Sequence, residues 1–272
     1  MSDEMDGKVV VVSGAGSGIG RAAARLFAEA GAVVYGADVS TDGLDQTGAL
    51  IAADGGEFTG QRVDVSDEVD VRELIDRIEA EQGRLDIACN NAGISGPIHY
   101  VEDYPTEQFD RVVAINLRSV FLAMKYELPL MRRGGGGAIC NTASVASVTG
   151  PAGTSAYAAT KHGIRGLTRS AAHEYAGAGI RVNAIAPGRT DTAMAAGAVP
   201  GNSAFATAFD LEADYTPAAR AADPIEIARA MFWLCSPAAS YVYGHMLVVD
   251  GGVTIGGPPF LREETVAVDG VR

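Results

Sequence analysis

Short β-branched runs alternate with longer helical stretches along almost the whole chain, and this alternation limits the possible folds more than any other feature. Residues 8–12 read Lys-Val-Val-Val-Val and lead into Ser13-Gly14, as a strand buried on both faces should. Over residues 18–30 the period turns helical. Ile19, Ala22, Ala23, Leu26 and Phe27 recur three and four apart, and Gly31 closes the helix. The same alternation continues. Strands are predicted over 32–37, up to Val63-Asp64-Val65, and over 85–89, 138–142, 180–186 and 245–249. Helices are predicted up to about residue 53, from Ser66 with a stripe of Val69, Leu74, Ile75 and Ile78, and over 106–132, 155–176 and 223–235.

A β-α order of this kind implies an α/β fold: one Rossmann-like, doubly wound parallel sheet of about seven strands with helices on both faces. At 47% hydrophobic residues the chain can bury a large core. No composition shift divides residues 1–272, so a single domain is expected. Sheets of this class bind ligands beyond the C-terminal ends of their strands, at the point where strand order reverses. The stretch from 189 to 222 has no clear period and is too long for an ordinary connection, so it is expected to form a lid.

Charge removes several classes of partner. With 21 basic and 34 acidic residues the net charge is −13, so a nucleic-acid partner is not expected. The Arg132-Arg133 pair and the basic residues within 165–169 read as solvated faces. No apolar run is long enough to span a bilayer, and the acidic start of the chain is unlike a signal peptide; a cytoplasmic protein is the expectation. Cys89, Cys140 and Cys235 lack metal-ligand or redox-motif spacing, and so do His99, His162, His173 and His245. No metal site is expected, and the thiols read as buried and reduced.

The loop Ser13-Gly14-Ala15-Gly16-Ser17-Gly18-Ile19-Gly20 joins the first strand to the first helix. Its spacing is G-x-x-x-G-x-G and not G-x-G-x-x-G. The physics is shared: glycines let the backbone approach a pyrophosphate, and the helix N-terminus offers free N–H groups. A plain glycine turn is the bland alternative. Asp38 ends the second strand, where a carboxylate can accept from ribose hydroxyls and repel a 2′-phosphate. No Lys or Arg stands at Ser17, Val39, Ser40 or Thr41. NAD is therefore the expected cofactor.

Together these motifs resemble the classical short-chain dehydrogenases/reductases from about residue 8 to residue 252. The glycine loop matches, with Ser13 where Thr is usual; Asp64-Val65 resembles the family's adenine-side pair. Asn90-Asn91-Ala92-Gly93 follows the fourth strand, and Pro187-Gly188 follows the sixth, with Thr190 and Thr192 beyond. Asn116, Ser144, Tyr157 and Lys161 fall where the family's catalytic tetrad belongs. The resemblance implies that Lys161 also binds the nicotinamide ribose, that Asn116 positions a water, and that the two long helices pair subunits into a homotetramer. It also implies cofactor contacts from Gly14, Gly16, Ser17, Gly18, Ile19, Gly20, Asp38, Val39, Asp64, Val65, residues 90–93, Tyr157, Lys161, Pro187, Gly188, Thr190 and Thr192.

The four catalytic candidates also make chemical sense by themselves. Tyr157 and Lys161 are four apart on a predicted helix and share a face. A free phenol titrates near about 10, and a neighbouring ammonium favours its ionised form. Tyr157 can then exchange a proton with an alcohol or ketone oxygen, while Ser144 holds that oxygen. Hydride transfer belongs to the cofactor. The expected reaction is NAD-dependent interconversion of a secondary alcohol and its ketone. Alternatives are an NADPH-dependent ketoreductase and a catalytically silent dinucleotide sensor.

Candidate substrate-pocket residues are Ser95, Gly96, Pro97, Ile98, Val145, Gly153 and Met194, with Phe205, Phe209, Leu211 and Tyr215 in the lid. They are mostly apolar, and Arg189 is the one exception, so a neutral, fairly hydrophobic alcohol is expected. The long helices carry surplus apolar residues, among them Val112, Val113, Val120, Phe121, Met124, Ile164 and Leu167. Residues 256–272 either fray or wrap a neighbouring subunit.

Overall fold

The computed structural model describes residues 5–195 and 216–255. Seven parallel strands form one sheet in the order β3-β2-β1-β4-β5-β6-β7. They are β1 (Val9–Ser13), β2 (Val33–Asp38), β3 (Glu57–Arg62), β4 (Ile87–Asn90), β5 (Gly137–Thr142), β6 (Ile180–Pro187) and β7 (Met246–Val249). Between them run α1 (Gly18–Glu29), α2 (Thr41–Ala53), α3 (Glu68–Gln82), α4 (Thr106–Val113), α5 (Ser119–Arg133), α6 (Ser155–Tyr175) and α7 (Pro224–Cys235). Strand order reverses between β1 and β4, which places the crevice where the glycine loop leaves β1.

Alternation along each strand splits the core in two. Val9 and Val11 pack with residues of α3, α5 and α6, whereas Val10 and Val12 pack with α1, α2 and α7. In α3 the buried stripe is Val71, Leu74, Ile75 and Ile78. Val69, expected in that stripe, is 47% exposed, because it sits in the first turn, away from the sheet. Strand β3 ends at Arg62, just short of the expected Val63-Asp64-Val65, although the Val63 N–H still donates to the Asp38 carbonyl at 2.9 Å.

The expected long helix over 106–132 is α4 and α5 joined by a π-turn, Ala114–Arg118, which holds Asn116. Such turns are uncommon and concentrate at functional sites. The three cysteines, dispersed in sequence, meet in the core. Cys89 and Cys140 are register partners on β4 and β5, and the Cys235 thiol at the end of α7 interacts with both. All three are free and buried.

One buried cation ties α7 to the sheet. The Arg181 guanidinium on β6 donates to the carbonyls of Leu234 (2.6 Å), Cys235 (3.0 Å), Ser236 (3.1 Å) and Ala239 (3.1 Å). A cation there satisfies the unpaired carbonyls at a helix C-terminus and opposes the helix dipole. Arg181→Leu leaves those acceptors buried without donors. It should lower the unfolding free energy by about 3 kcal/mol or more, read from the urea midpoint. An unchanged midpoint would show that the carbonyls find other partners.

Candidate active site

The C-terminal ends of the central strands open into one cleft of ≈660 Å3. At its floor, α1 begins at Ser17, whose side chain makes no capping bond, and the first turn of α1 carries no acidic residue. Its N–H groups are therefore left for an outside anion. Two glycines are required here by close approach. A Cβ on Gly20 would overlap the Gly14 carbonyl oxygen, and Gly14 has φ +70° with Asn91 Nδ2 2.9 Å from where its Cβ would stand. Gly14, Ser17, Gly18 and Ile19 reach the cleft wall; Gly16 and Gly20 lie behind it. The Arg21 guanidinium donates to the Gly16 carbonyl from that rear side and holds the loop to α2 through Thr47 at 3.0 Å.

Two carboxylates mark one end of the cleft. Asp38 accepts from Gly16 N at 2.9 Å and Ser40 N at 3.0 Å, so it also fixes the glycine loop. Asp64 accepts through Oδ1 from the Ser66 N–H at 2.9 Å and hydroxyl at 2.7 Å. Val39 and Val65 line the wall beside them. This end offers acceptors and apolar surface, which suits an adenosine.

The next wall is the run after β4. Asn91, Ala92 and Gly93 line the cleft, while the side chain of Asn90 turns into the core. The Ser13 hydroxyl accepts the N–H groups of Asn91 at 2.9 Å and Ala92 at 3.1 Å, and the Asn91 side-chain amide donates to the Ser13 carbonyl at 3.2 Å, so Ser13 binds this run to β1. Asn116 is fully buried and off the cleft wall. Its amide accepts from Ile94 N at 2.8 Å and donates to Ile94 O at 2.7 Å. The side chain the resemblance assigned to a water is thus engaged in clamping the 90–94 segment.

Tyr157 and Lys161 meet the opposite wall from α6, one turn apart. Lys161 is 3% exposed, its Nζ donates to the Thr142 carbonyl at 2.8 Å, and it lies 5.5 Å from the centre of the Tyr157 ring. Burial pushes the ammonium down to about 8. Ser144 follows β5 and lines the same wall, its Oγ accepting from Ala146 N at 3.2 Å. The neighbouring Ser147 donates to the Lys161 carbonyl at 2.9 Å, which couples the Ser144 turn to α6. His162 is exposed and bonds the Ala158 carbonyl, away from the site.

Beyond β6, Pro187, Gly188, Thr190, Thr192 and Met194 line the cleft. Thr190 Oγ1 donates to the Gly188 carbonyl at 3.1 Å, and Thr192 Oγ1 accepts from Ala195 N at 3.2 Å. The two ends of the expected lid are joined: Asp191 N donates to Ala222 O, and Ala222 N to Arg189 O, both at 2.9 Å. Phe205, Phe209, Leu211, Tyr215 and residues 256–272 lie outside the described residues. Of the pocket candidates, Val145 and Met194 are on the wall, whereas Ser95, Gly96, Pro97, Ile98 and Gly153 are not; Ser95 is buried. Sequence reading missed Ile94, Arg111, Ile115, Pro151 and Ala152, all on the wall.

Comparisons with known proteins bear on the family and the fold. A family profile described as enoyl-(acyl carrier protein) reductase matches residues 14–254. The chain is 42% identical to cis-4-hydroxycyclohexanecarboxylate dehydrogenase of Sinomonas cyclohexanicum, covering 93% of this chain and 99% of that protein. It is 37% identical to cyclohexanol dehydrogenase of Acinetobacter sp. (strain SE19), covering 93% and 98%. The crystal structure of levodione reductase superposes with a TM-score of 0.86 at 39% identity, covering 90% and 96%. By fold, by motif order and by these relatives, the chain belongs to the short-chain dehydrogenase/reductase family.

Proposed function

We propose that this protein is an NAD-dependent dehydrogenase of cyclic secondary alcohols, with Tyr157 as the proton-transferring group. The observation that carries the reading is the buried Lys161 ammonium, 5.5 Å from the Tyr157 ring on the wall of the glycine-floored cleft. A cation held there favours the phenolate, which takes the alcohol proton during oxidation; the phenol returns it during reduction. Ser144 holds the substrate oxygen as charge develops on it. Bound nicotinamide supplies the hydride acceptor. Asn116 acts through the 90–94 segment that it clamps.

The choice of NAD is supported by the uncapped start of α1 for a pyrophosphate and by Asp38 and Asp64 for the adenosine end. A 2′-phosphate beside two carboxylates would be repelled. For the substrate, Val145, Ala146, Pro151, Ala152, Ala193 and Met194 supply apolar wall near Ser144. The cyclohexane-ring substrates in the names of two relatives fit such a surface. This supports a neutral, fairly hydrophobic ring alcohol. A second reading, a ring alcohol carrying a carboxylate, is favoured by Arg111 and Arg189 on the wall and by the hydroxycarboxylate in one relative's name. Homotetramer formation is supported by Phe109 and Phe121, which remain 39% and 50% exposed on α4 and α5. Among the described residues no helix is long and apolar enough to cross a membrane.

Three measurements test this function. Tyr157→Phe should lower kcat by about 10³-fold and leave NADH binding intact; undiminished turnover would remove Tyr157 from the chemistry. With a ring alcohol as substrate, kcat/KM for NAD should exceed that for NADP by on the order of 10²-fold, the size of a like-charge clash. Parity or reversal would favour the NADPH ketoreductase. Cyclohexanol and cis-4-hydroxycyclohexanecarboxylate, assayed side by side, separate the two substrate readings: the neutral ring should win by kcat/KM, and preference for the acid would assign the two arginines to its carboxylate.

A further inference from the structure

Beneath the cleft lies a polar cluster that the chemistry above does not use. Glu127 on α5 is 1% exposed in the α3-α5-α6 face of the core. Its hydrogen-bond donor is Asn90, whose Nδ2 gives one bond to Glu127 Oε2 at 3.1 Å and one to Asn141 Oδ1 at 3.0 Å. Asn141 passes the chain on to Thr168 Oγ1 at 3.0 Å. Four elements meet here, α5, β4, β5 and α6, and Asn90 opens the 90–93 run whose next residues form the cleft wall.

Next to Glu127 is a cavity of ≈30 Å3, with Ser13, Asn90 and Ser119 as its other polar wall residues. A volume of that size accepts one water. The cavity and the cofactor cleft share Val63, Val65 and Ala92, so Glu127 is one side-chain layer below the ligand surface. What faces it from β1, β2, the residue after β3 and α3 is uncharged: Val11 and Ser13, Ala37, Val63, and the aliphatic residues of α3. Asn141 on β5 and Thr168 on α6 are uncharged as well. Among the described residues the Cys89 thiol on β4 is a titratable group that feels its charge. Burial pushes the carboxyl up to about 7, with the Asn90 hydrogen bond opposing part of that rise, so it is protonated in mildly acidic solution.

We propose that Glu127 is a positioning residue for the dinucleotide: it holds Asn90 beneath the 90–93 wall, and cofactor affinity falls as the carboxyl ionises. Two effects act in the same direction. A carboxylate in this layer, with Asn90 as its donor, draws water into the packing beneath Val63 and Ala92. It also repels the anionic pyrophosphate across one layer of side chains. Linkage is reciprocal, so dinucleotide binding near neutral pH takes up a proton.

The inference rests on the dinucleotide-binding reading, and the tests separate the two. NADH affinity is titrated by fluorescence from about pH 6 to about pH 8.5, for the wild-type protein and for Glu127→Gln. The wild type should weaken by about tenfold more than the variant, the size of a unit-charge interaction across ~10 Å at an effective dielectric near ~20. Lys161 titrates in the same range, but its slope is common to both proteins. Calorimetry of the wild type and of Glu127→Gln in two buffers of different ionisation enthalpy reads the proton uptake directly, and the difference between the two proteins belongs to Glu127. Equal pH profiles, or binding without proton uptake, would overturn the role of Glu127. Absence of NADH binding at every pH would instead overturn the dinucleotide reading, and this inference with it.

Discussion

Strand β1 is hydrogen-bonded on both sides, with Val12 opposite Gly36 of β2 and Cys89 of β4. The chain winds outward from β1 to β3 and then returns to start β4 on the other side, so no connection crosses the C-terminal end of β1. Everything functional follows from that opening. The glycine loop fills its floor, the 90–93 run borders it, and Ser13 fastens the two together through its hydroxyl and its carbonyl. A loop elsewhere with the same residues would be a turn. Here its free N–H groups face a cleft.

The site then depends on keeping a lysine charged where charge is costly. Lys161 is buried, and desolvation alone would favour its neutral form. The Thr142 carbonyl offsets part of that cost at 2.8 Å. What remains is an ammonium less firmly protonated than a surface lysine, with its field concentrated on the adjacent phenol by the low-dielectric surroundings. Ser147 fixes the helix that carries both groups by donating to the Lys161 carbonyl while its hydroxyl accepts from the Ser144 N–H. The turn that presents Ser144 and the helix that presents Tyr157 are therefore held as one piece.

How much of this was readable in the chain depended on the kind of relation. Periodicity gave the strands and helices because Val, Leu and Ile recur at the spacing their faces require, as in α3 from Val71 to Ile78. It misplaced Val69, since period alone does not say where along a helix the sheet contact begins. The Tyr157–Lys161 spacing was legible as one helical turn. The Thr142 carbonyl that receives Lys161 was not, because it is a main-chain group nineteen residues away. Motif membership also failed to separate wall from support. Asn90 and Asn91 are neighbours in one motif, yet strand alternation sends Asn90 into the core and leaves Asn91 at the cleft. The convergence of Cys89, Cys140 and Cys235 was likewise hidden, because it requires knowing that β4 pairs with β5 in register and that α7 ends over both.

These supports form a second polar layer under the first. Asn116 spends its amide on Ile94, Asn90 spends both of its N–H donors on Glu127 and Asn141, and Asn141 reaches Thr168. Buried polar groups of this kind cost free energy unless all of them are paired, and a fully paired network admits few alternative packings. An apolar core of equal volume would hold the sheet together at least as well. It would not fix the height of the 90–94 segment above the sheet, because aliphatic contacts are tolerant of small sliding motions whereas directional hydrogen bonds are not. A cleft that must bring a substrate and a dinucleotide into a defined mutual geometry needs that height fixed. The directional layer is therefore best understood as serving geometry at the cleft more than stability of the sheet.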